Sequence, residues 1–131
     1  MLQLRPNATN QQVYVTPFEA RKFLPDFTDY LFVLQNVATE ETFACVPILL
    51  YDNERYTHWT MRTNLEDVNN VKISESGLYT YTIYGQNSST NKDPNDASVV
   101  GICEIGPARF DAERAWNIPT LDIPDNVIYY E

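Results

Sequence analysis

Hydrophobic residues recur along this chain with a period of two, in short segments parted by polar turns, which is the pattern of β-strands. Val13, Val15 and Pro17 alternate with Tyr14, Thr16 and Phe18, predicting a first strand over 12–18 whose proline marks an edge or a strand end. Residues 30–36 are apolar nearly throughout, as in a central strand covered on both faces. After a turn at 36–41, residues 42–48 return as the second arm of a hairpin, with Pro47 limiting its ladder. A turn cluster at 51–55 precedes a strand over 56–63, where Thr57, Trp59 and Met61 alternate with Tyr56, His58, Thr60 and Arg62. A short strand is expected at 71–73, a strictly alternating one at 78–85 and a last one at 99–106. One helical turn over 19–24, stopped by Pro25, and another over 111–116 are the helical signals.

The stretch 73–92 organises the rest. Glu75-Ser76-Gly77-Leu78-Tyr79 sets an acidic residue, a turn glycine and a tyrosine directly before the alternation of Tyr79, Tyr81 and Ile83 with Thr80, Thr82 and Tyr84. A tyrosine so placed, its hydroxyl reaching back to the backbone upstream, locks the entrance to strand F of an immunoglobulin-like sandwich. An ordinary tyrosine-rich strand after a turn accounts for the same residues. The expected fold is therefore all-β: an immunoglobulin-like antiparallel sandwich of about seven strands. In its lettering, 12–18 is strand A, 30–36 B, 42–48 C, 71–73 E, 78–85 F and 99–106 G.

Outside the sandwich, expected over 13–106, both ends read as arms. Residues 1–12 are polar and aperiodic around Pro6. The segment 107–131 holds Pro107, Pro119 and Pro124, which prevent a long regular element, yet Phe110, Trp116, Ile118, Leu121, Ile123, Val127, Ile128, Tyr129 and Tyr130 are too apolar for a solvated linker. It reads as an extended docking arm, with its own sandwich or a neighbouring subunit as the surface it covers. The polar connection 86–98 is a long F to G loop, where a rigid sandwich places recognition.

Composition agrees with one β-rich domain: 131 residues, 44% hydrophobic and 13% aromatic, with 21% charged. A net charge of −9 without any basic cluster excludes direct nucleic-acid binding and suits a surface displayed to solvent. No apolar run has the length of a signal peptide core or a membrane span, so a cytoplasmically made product without membrane contact is expected. Asn7-Ala8-Thr9 and Asn87-Ser88-Ser89 then read as chance matches to a glycosylation acceptor. Cys45 and Cys103, on strands C and G with F between them, would lie about 10 Å apart, beyond disulfide reach, and are expected as free thiols.

Catalytic chemistry finds little support. His58 is the only histidine, and no nucleophile elbow accompanies it, so a structural or surface role is expected. Cysteine and histidine lack metal-ligand spacing. Carboxylates pair at Glu40-Glu41, Asp52 with Glu54, Glu66-Asp67 and Asp93 with Asp96. Asp93-Pro94-Asn95-Asp96 comes nearest to a calcium loop, but Pro94 and the missing glycine and terminal glutamate depart from one, and turn chemistry explains it. No glycine-rich phosphate loop exists among four glycines. Neither an enzyme nor a cofactor or metal site is expected.

Gly77-Leu78-Tyr79-Thr80-Tyr81-Thr82-Ile83-Tyr84, then Gln86, then Ser88-Ser89-Thr90-Asn91-Lys92-Asp93-Pro94, resembles the G-(F/Y)-Y-x-Y-x-(I/V)-Y-x-Q and S-x-T-N-x-D-P succession of small virion proteins of tailed bacteriophages, notably crAss-like and related phages of Bacteroidota. The similarity extends loosely over 30–106 and is specific over 77–94; the tail departs from it. The resemblance implies an immunoglobulin-like head auxiliary or decoration protein on the capsid exterior. Its partners would be the major capsid protein or other virion proteins, engaged by many symmetry-related copies, with apolar arm residues buried against the lattice. Candidate docking residues are Phe110, Trp116, Leu121, Ile123, Tyr129 and Tyr130, with the 87–96 loop, including Asn91 and Asp93, as a second contact; Glu75, Gly77 and Tyr79 form the structural corner. The alternative is a head-fibre or tail module that binds host surface glycan through Tyr56, Trp59 and the long loop. A small hydrolase would need two carboxylates converging in a cleft.

Overall fold

A computed structural model describes residues 2–6 and 9–111, and these form two packed β-sheets without an α-helix among them. Eight strands run in chain order: β1 Leu2–Leu4, β2 Gln11–Val15, β3 Asp29–Asn36, β4 Thr42–Cys45, β5 Leu49–Asp52, β6 Thr57–Met61, β7 Gly77–Gln86 and β8 Val99–Phe110. One 3-10 turn, Phe18–Lys22, stands where the helical turn is expected before Pro25. The five-stranded sheet has the order β1-β8-β7-β3-β4 and the three-stranded sheet β2-β6-β5.

Alternation decides which face of each strand meets the other sheet. From β2 come Val13 and Val15, from β6 Thr57, Trp59 and Met61, and from β7 Tyr79, Tyr81 and Ile83, all buried between the sheets. Trp59 meets Phe32 edge-on at 5.3 Å between ring centres, the aromatic contact that joins the sheets at mid-core. The apolar run Tyr30-Leu31-Phe32 is wholly buried, in keeping with its central place between β7 and β4. Phe32 faces the core, whereas Leu31 pairs with Tyr84 on the outer side of the sheet.

The corner at the start of β7 is built from two hydrogen bonds and one glycine conformation. The Tyr79 hydroxyl donates to the Glu75 carbonyl at 2.7 Å. Gly77 holds φ at 142°, which side chains with a Cβ rarely adopt. The Val37 N–H donates to Leu78 O at 3.0 Å, joining the β3–β4 turn to the same corner. Further along, the Tyr81 ring lies so close over Gly106 that a Cβ there would sit 2.6 Å from it.

Several expected elements change. Residues 1–12 are not a loose arm throughout: β1 pairs in parallel with 108–110 of β8, and Leu4 is buried. The last strand does not stop at 106 but runs to Phe110, and Phe110 is 1% exposed, packed in the core instead of being available for docking. Leu49–Asp52 is a strand, where a turn cluster from residue 51 is expected; a bulge between Leu49 and Tyr51 breaks the alternation that would reveal it. Residues 71–73 make only an isolated bridge, between Asn64 and Lys72, with Val71 and Ile73 buried beside it. Two strands, β3 and β7, separate Cys45 on β4 from Cys103 on β8, so three strand steps of about 4.8 Å put them roughly 14 Å apart, not 10. Both thiols are free.

Phe110→Ala is expected to lower unfolding free energy by about 3–5 kcal/mol, as for other fully buried phenylalanines. Urea unfolding followed by fluorescence measures it, and a loss under 1 kcal/mol would be inconsistent with a core position.

Candidate functional site

Three convergences of polar side chains bear on function, and in two of them the contacts serve the fold. The first closes one end of the sandwich. Asp52, at the end of β5, accepts from Thr57 Oγ1 at 2.8 Å and from the Tyr30 hydroxyl at 3.1 Å on one oxygen, and from Arg21 at 3.0 Å on the other. The 3-10 turn delivers Arg21, whose guanidinium lies 4.2 Å from the Phe27 ring centre and also donates to the Phe27 carbonyl at 3.0 Å. Burial pushes the Tyr30 hydroxyl from 10.0 up to about 12; the Asp52 carboxylate adds to the rise and Arg21 opposes it. A phenol so held stays protonated and is a hydrogen-bond donor, not a base.

The second ties the edge of one sheet to the other. Glu104 of β8 accepts a short hydrogen bond from the Tyr81 hydroxyl, and its other oxygen accepts from the Thr16 N–H at 2.9 Å and the Thr16 hydroxyl at 3.3 Å. Burial, with the facing carboxylate, raises the Tyr81 pKa. Thr16 follows directly on β2, so this carboxylate fixes the spacing of the two sheets at a second point.

The third is exposed and uncommitted. Gln12, Tyr14, Tyr56 and His58 occupy the outward positions of β2 and of β6 with the residue before it, and Tyr51 of β5 pairs with His58. Tyr14 and His58 stack in parallel, 4.2 Å apart at 1° between planes, while Tyr56 stands 5.8 Å from both Tyr14 and Tyr51. Tyr14 and Tyr51 are more than half exposed. The His58 Nε2 pairs with Gln12 Oε1. No carboxylate or thiol joins this row, so it offers ring faces and hydrogen-bonding groups without a nucleophile.

Trp59 does not belong to it. The indole is fully buried, and its N–H finds no hydrogen-bond partner among the described residues. The expected glycan contact through Trp59 is therefore corrected: alternation sends Tyr56 and His58 outward and Trp59 inward.

The 87–98 loop is braced internally. The Asn91 side chain donates to Gln86 Oε1 at 2.9 Å and to the Asp93 carbonyl at 2.8 Å, while its oxygen accepts from the Asp93 N–H. Ser88 Oγ takes the Thr90 and Asn91 N–H groups, and Asp93 takes that of Asn95. The side chain of Asn91, half-buried, is thus engaged within the loop, whereas Asp93 is exposed. Among the described residues, no group of three or more His, Cys, Asp or Glu side chains could hold a metal ion, the 93–96 segment included. Of the expected docking residues, Trp116, Leu121, Ile123, Tyr129 and Tyr130 lie outside the described residues.

The row around Tyr14 was within reach of the sequence on two strands, because Tyr14, Tyr56 and His58 alternate with core residues. Tyr51 was not, since its strand is masked by the bulge. Comparison with protein-family models, with curated proteins and with solved structures finds no match for this chain.

Burial pushes Cys45 from 9.0 up to about 12 and Cys103 up to about 11. Native protein at pH 8 should therefore react with a thiol reagent far more slowly than the unfolded chain, with Cys103, the more accessible thiol, reacting first. For Tyr30 and Cys45 the folded value lies above the unfolded one, so their contribution to stability is complete below about pH 9 and is lost as pH rises toward about 12. The urea midpoint should be level from about pH 6 to 8.5 and fall beyond it, and less steeply in a Tyr30→Phe, Cys45→Ala variant.

Proposed function

We propose that this chain is a non-enzymatic structural subunit of a tailed-bacteriophage virion, a head auxiliary or decoration protein that binds the outer capsid surface and stabilises the shell. The observation that carries the proposal is the 77–94 stretch. The part of the chain that resembles phage virion proteins is a unit in itself, β7 with its tyrosine corner and the braced loop after it. The strand order supports an immunoglobulin-like assignment. Lettered from the corner strand as F, the sheets become A′-G-F-C-C′ facing B-E-D, with β3 as C and β2 as B, so every letter before F shifts from that expected. Asp52 and Glu104, each the centre of a separate polar cluster, are engaged in holding the sheets together, which argues against a carboxylate-dependent hydrolase.

In this role the major capsid protein or another virion protein is the partner, and Trp116, Leu121, Ile123, Tyr129 and Tyr130 supply apolar side chains for it. Many copies on a lattice turn a modest contact into firm attachment. Co-sedimentation with purified capsids should retain the full chain and lose a version ending at Asp111, with circular dichroism confirming that the shorter chain is folded. Equal retention of the two would remove the tail from the docking role, and no retention of either would end the decoration proposal.

A second reading has its own observation, the outward row of Tyr14, Tyr51, Tyr56 and His58, in which Tyr14 and Tyr51 are exposed and Tyr56 and His58 half-buried. Tyrosine faces beside an amide and an imidazole suit a neutral glycan, which stacks its C–H face on a ring and hydrogen-bonds through its hydroxyls. A Tyr14→Ala, Tyr51→Ala variant should lose at least about tenfold in glycan-array signal if the row binds sugar, while capsid retention stays unchanged.

A further inference from the structure

The two edges of the five-stranded sheet are finished differently. At β1 the Gln11 side chain covers the backbone, donating to the Gln3 carbonyl at 3.1 Å. At β4 the backbone is open. The Asn36 N–H donates to the Glu41 carbonyl at 2.9 Å, so alternation turns the peptide groups of Phe43 and Cys45 toward β3 and those of Thr42 and Ala44 outward. Val46, next in the outward series, is satisfied: its N–H donates to the Val68 carbonyl at 2.7 Å, and its own carbonyl accepts from the Asn69 side chain at 2.8 Å. The outward N–H and C=O groups of Thr42 and Ala44 meet no backbone partner among the described residues. Beside them lies a hollow of about 200 Å³, walled by Phe43 and Val71 of the core cluster and by the charged Lys72, Lys92 and Glu66. Lys72 is exposed, and Lys92 donates to the Asp67 carbonyl at 3.4 Å. Neither lysine makes an ion pair among the described residues.

We propose that residues 120–125 of the same chain occupy this edge in the free subunit, with 120–123 lying beside β4 as one further strand. Direction and length both allow it. Phe110 of β8 pairs with Gly77, Asn36 with Tyr79 and Gln35 with Thr42, so the chain leaves β8 at the end of the sheet where β4 begins. A strand entered from that end runs parallel to β4. Four strand steps of about 4.8 Å, roughly 19 Å, separate β8 from a place outside β4, and residues 111–119 can span about 30 Å. Composition selects the segment. Thr120-Leu121-Asp122-Ile123 alternates with a period of two, is as long as β4, and is bounded by Pro119 and Pro124, as edge strands tolerate. With Leu121 and Ile123 turned to the core side, they cover Phe43 and Val71, while Asp122 and Asp125 bring carboxylates toward Lys72 and Lys92. Those two are the only lysines in the chain besides Lys22. Tethering selects the chain's own segment over a neighbour's: a short linker holds it at an effective concentration on the order of millimolar, whereas a second copy at −9 is repelled. The proposal concerns the subunit in solution and does not rest on the virion reading, since a failure of capsid binding leaves it standing. Where that reading holds, Leu121 and Ile123 leave the edge as the arm docks.

Amide hydrogen exchange on the full chain, read residue by residue by NMR, tests it directly. In a Leu121→Asp, Ile123→Asp variant the Thr42 and Ala44 amides should exchange at least about tenfold faster than in the native chain, while those of Phe43 and Cys45, bonded to β3, keep their rates. Both substitutions fall outside the two sheets, so the unchanged Phe43 and Cys45 amides also report that the variant is folded. A Lys72→Glu, Lys92→Glu variant should speed the same two amides, and adding Asp122→Lys with Asp125→Lys should slow them again. Rates in the native chain should agree between about 20 and 400 μM, as a contact within one chain requires. Thr42 and Ala44 amides that exchange equally in the native chain and the Leu121→Asp, Ile123→Asp variant overturn the proposal. Protection that grows with concentration overturns it too, because the edge then belongs to the tail of another copy.

Discussion

Asp52 is one of the points at which the two sheets of this protein are joined by more than hydrophobic contact. Its carboxylate takes hydrogen bonds from Thr57 in its own sheet, Tyr30 in the facing sheet and Arg21 in the turn between β2 and β3. A single side chain thus sets the distance and the relative position of three elements. The pair with Arg21 is partly buried, and removing one partner from such a pair costs more than the pair contributes, because the other is left without compensation. Glu104 does the same at another point on the sandwich by holding Thr16 and Tyr81. Between these clasps the aromatic core can be tightly packed: the Tyr81 ring lies against Gly106 and the Phe32 ring meets Trp59.

Because these polar groups are engaged internally, interaction with other molecules falls to the outer faces and loops. The two sheets divide that work by chemistry. The three-stranded sheet shows aromatic rings and hydrogen-bonding groups, and the five-stranded sheet shows threonine, isoleucine and leucine. Acidic residues pair in the connections, at 40–41, 66–67 and 93–96. Such a distribution leaves the middle of both faces poor in charge, with Arg109 and Asp29 toward the ends of the five-stranded one.

The parts of the fold that were legible in the sequence are those where one physical rule decided the outcome. Complete burial of Tyr30, Leu31 and Phe32 made β3 readable as a central strand, and strict alternation after Gly77 made β7 readable with its corner. Where two rules competed, the sequence misled. Pro107 suggested the end of a strand, yet β1 reaches only 108–110 of β8, so at 107 one side of β8 is an open edge and a proline is tolerated. Three residues of β1 carry too little pattern to stand out from a polar lead-in. The candidate site was less legible than the fold: Trp59 and Phe110 are large and apolar in either role, and only their register shows that both face the core. The bracing of Asn91 was not legible, because its partner Gln86 reads as part of the loop and is in fact the last residue of β7.

The parallel pairing of β1 with the end of β8 links the two extremes of the described chain, Leu2 opposite Ala108 and Leu4 opposite Phe110. During synthesis the first strand has no place to settle until the last has left the ribosome, and the closing contact spans nearly the whole domain. Contacts of such long range are slow to form because the loop must close before they stabilise anything. The sandwich therefore cannot be completed progressively from its N-terminus, and a nascent chain halted before residue 108 lacks the strand on which β1 pairs.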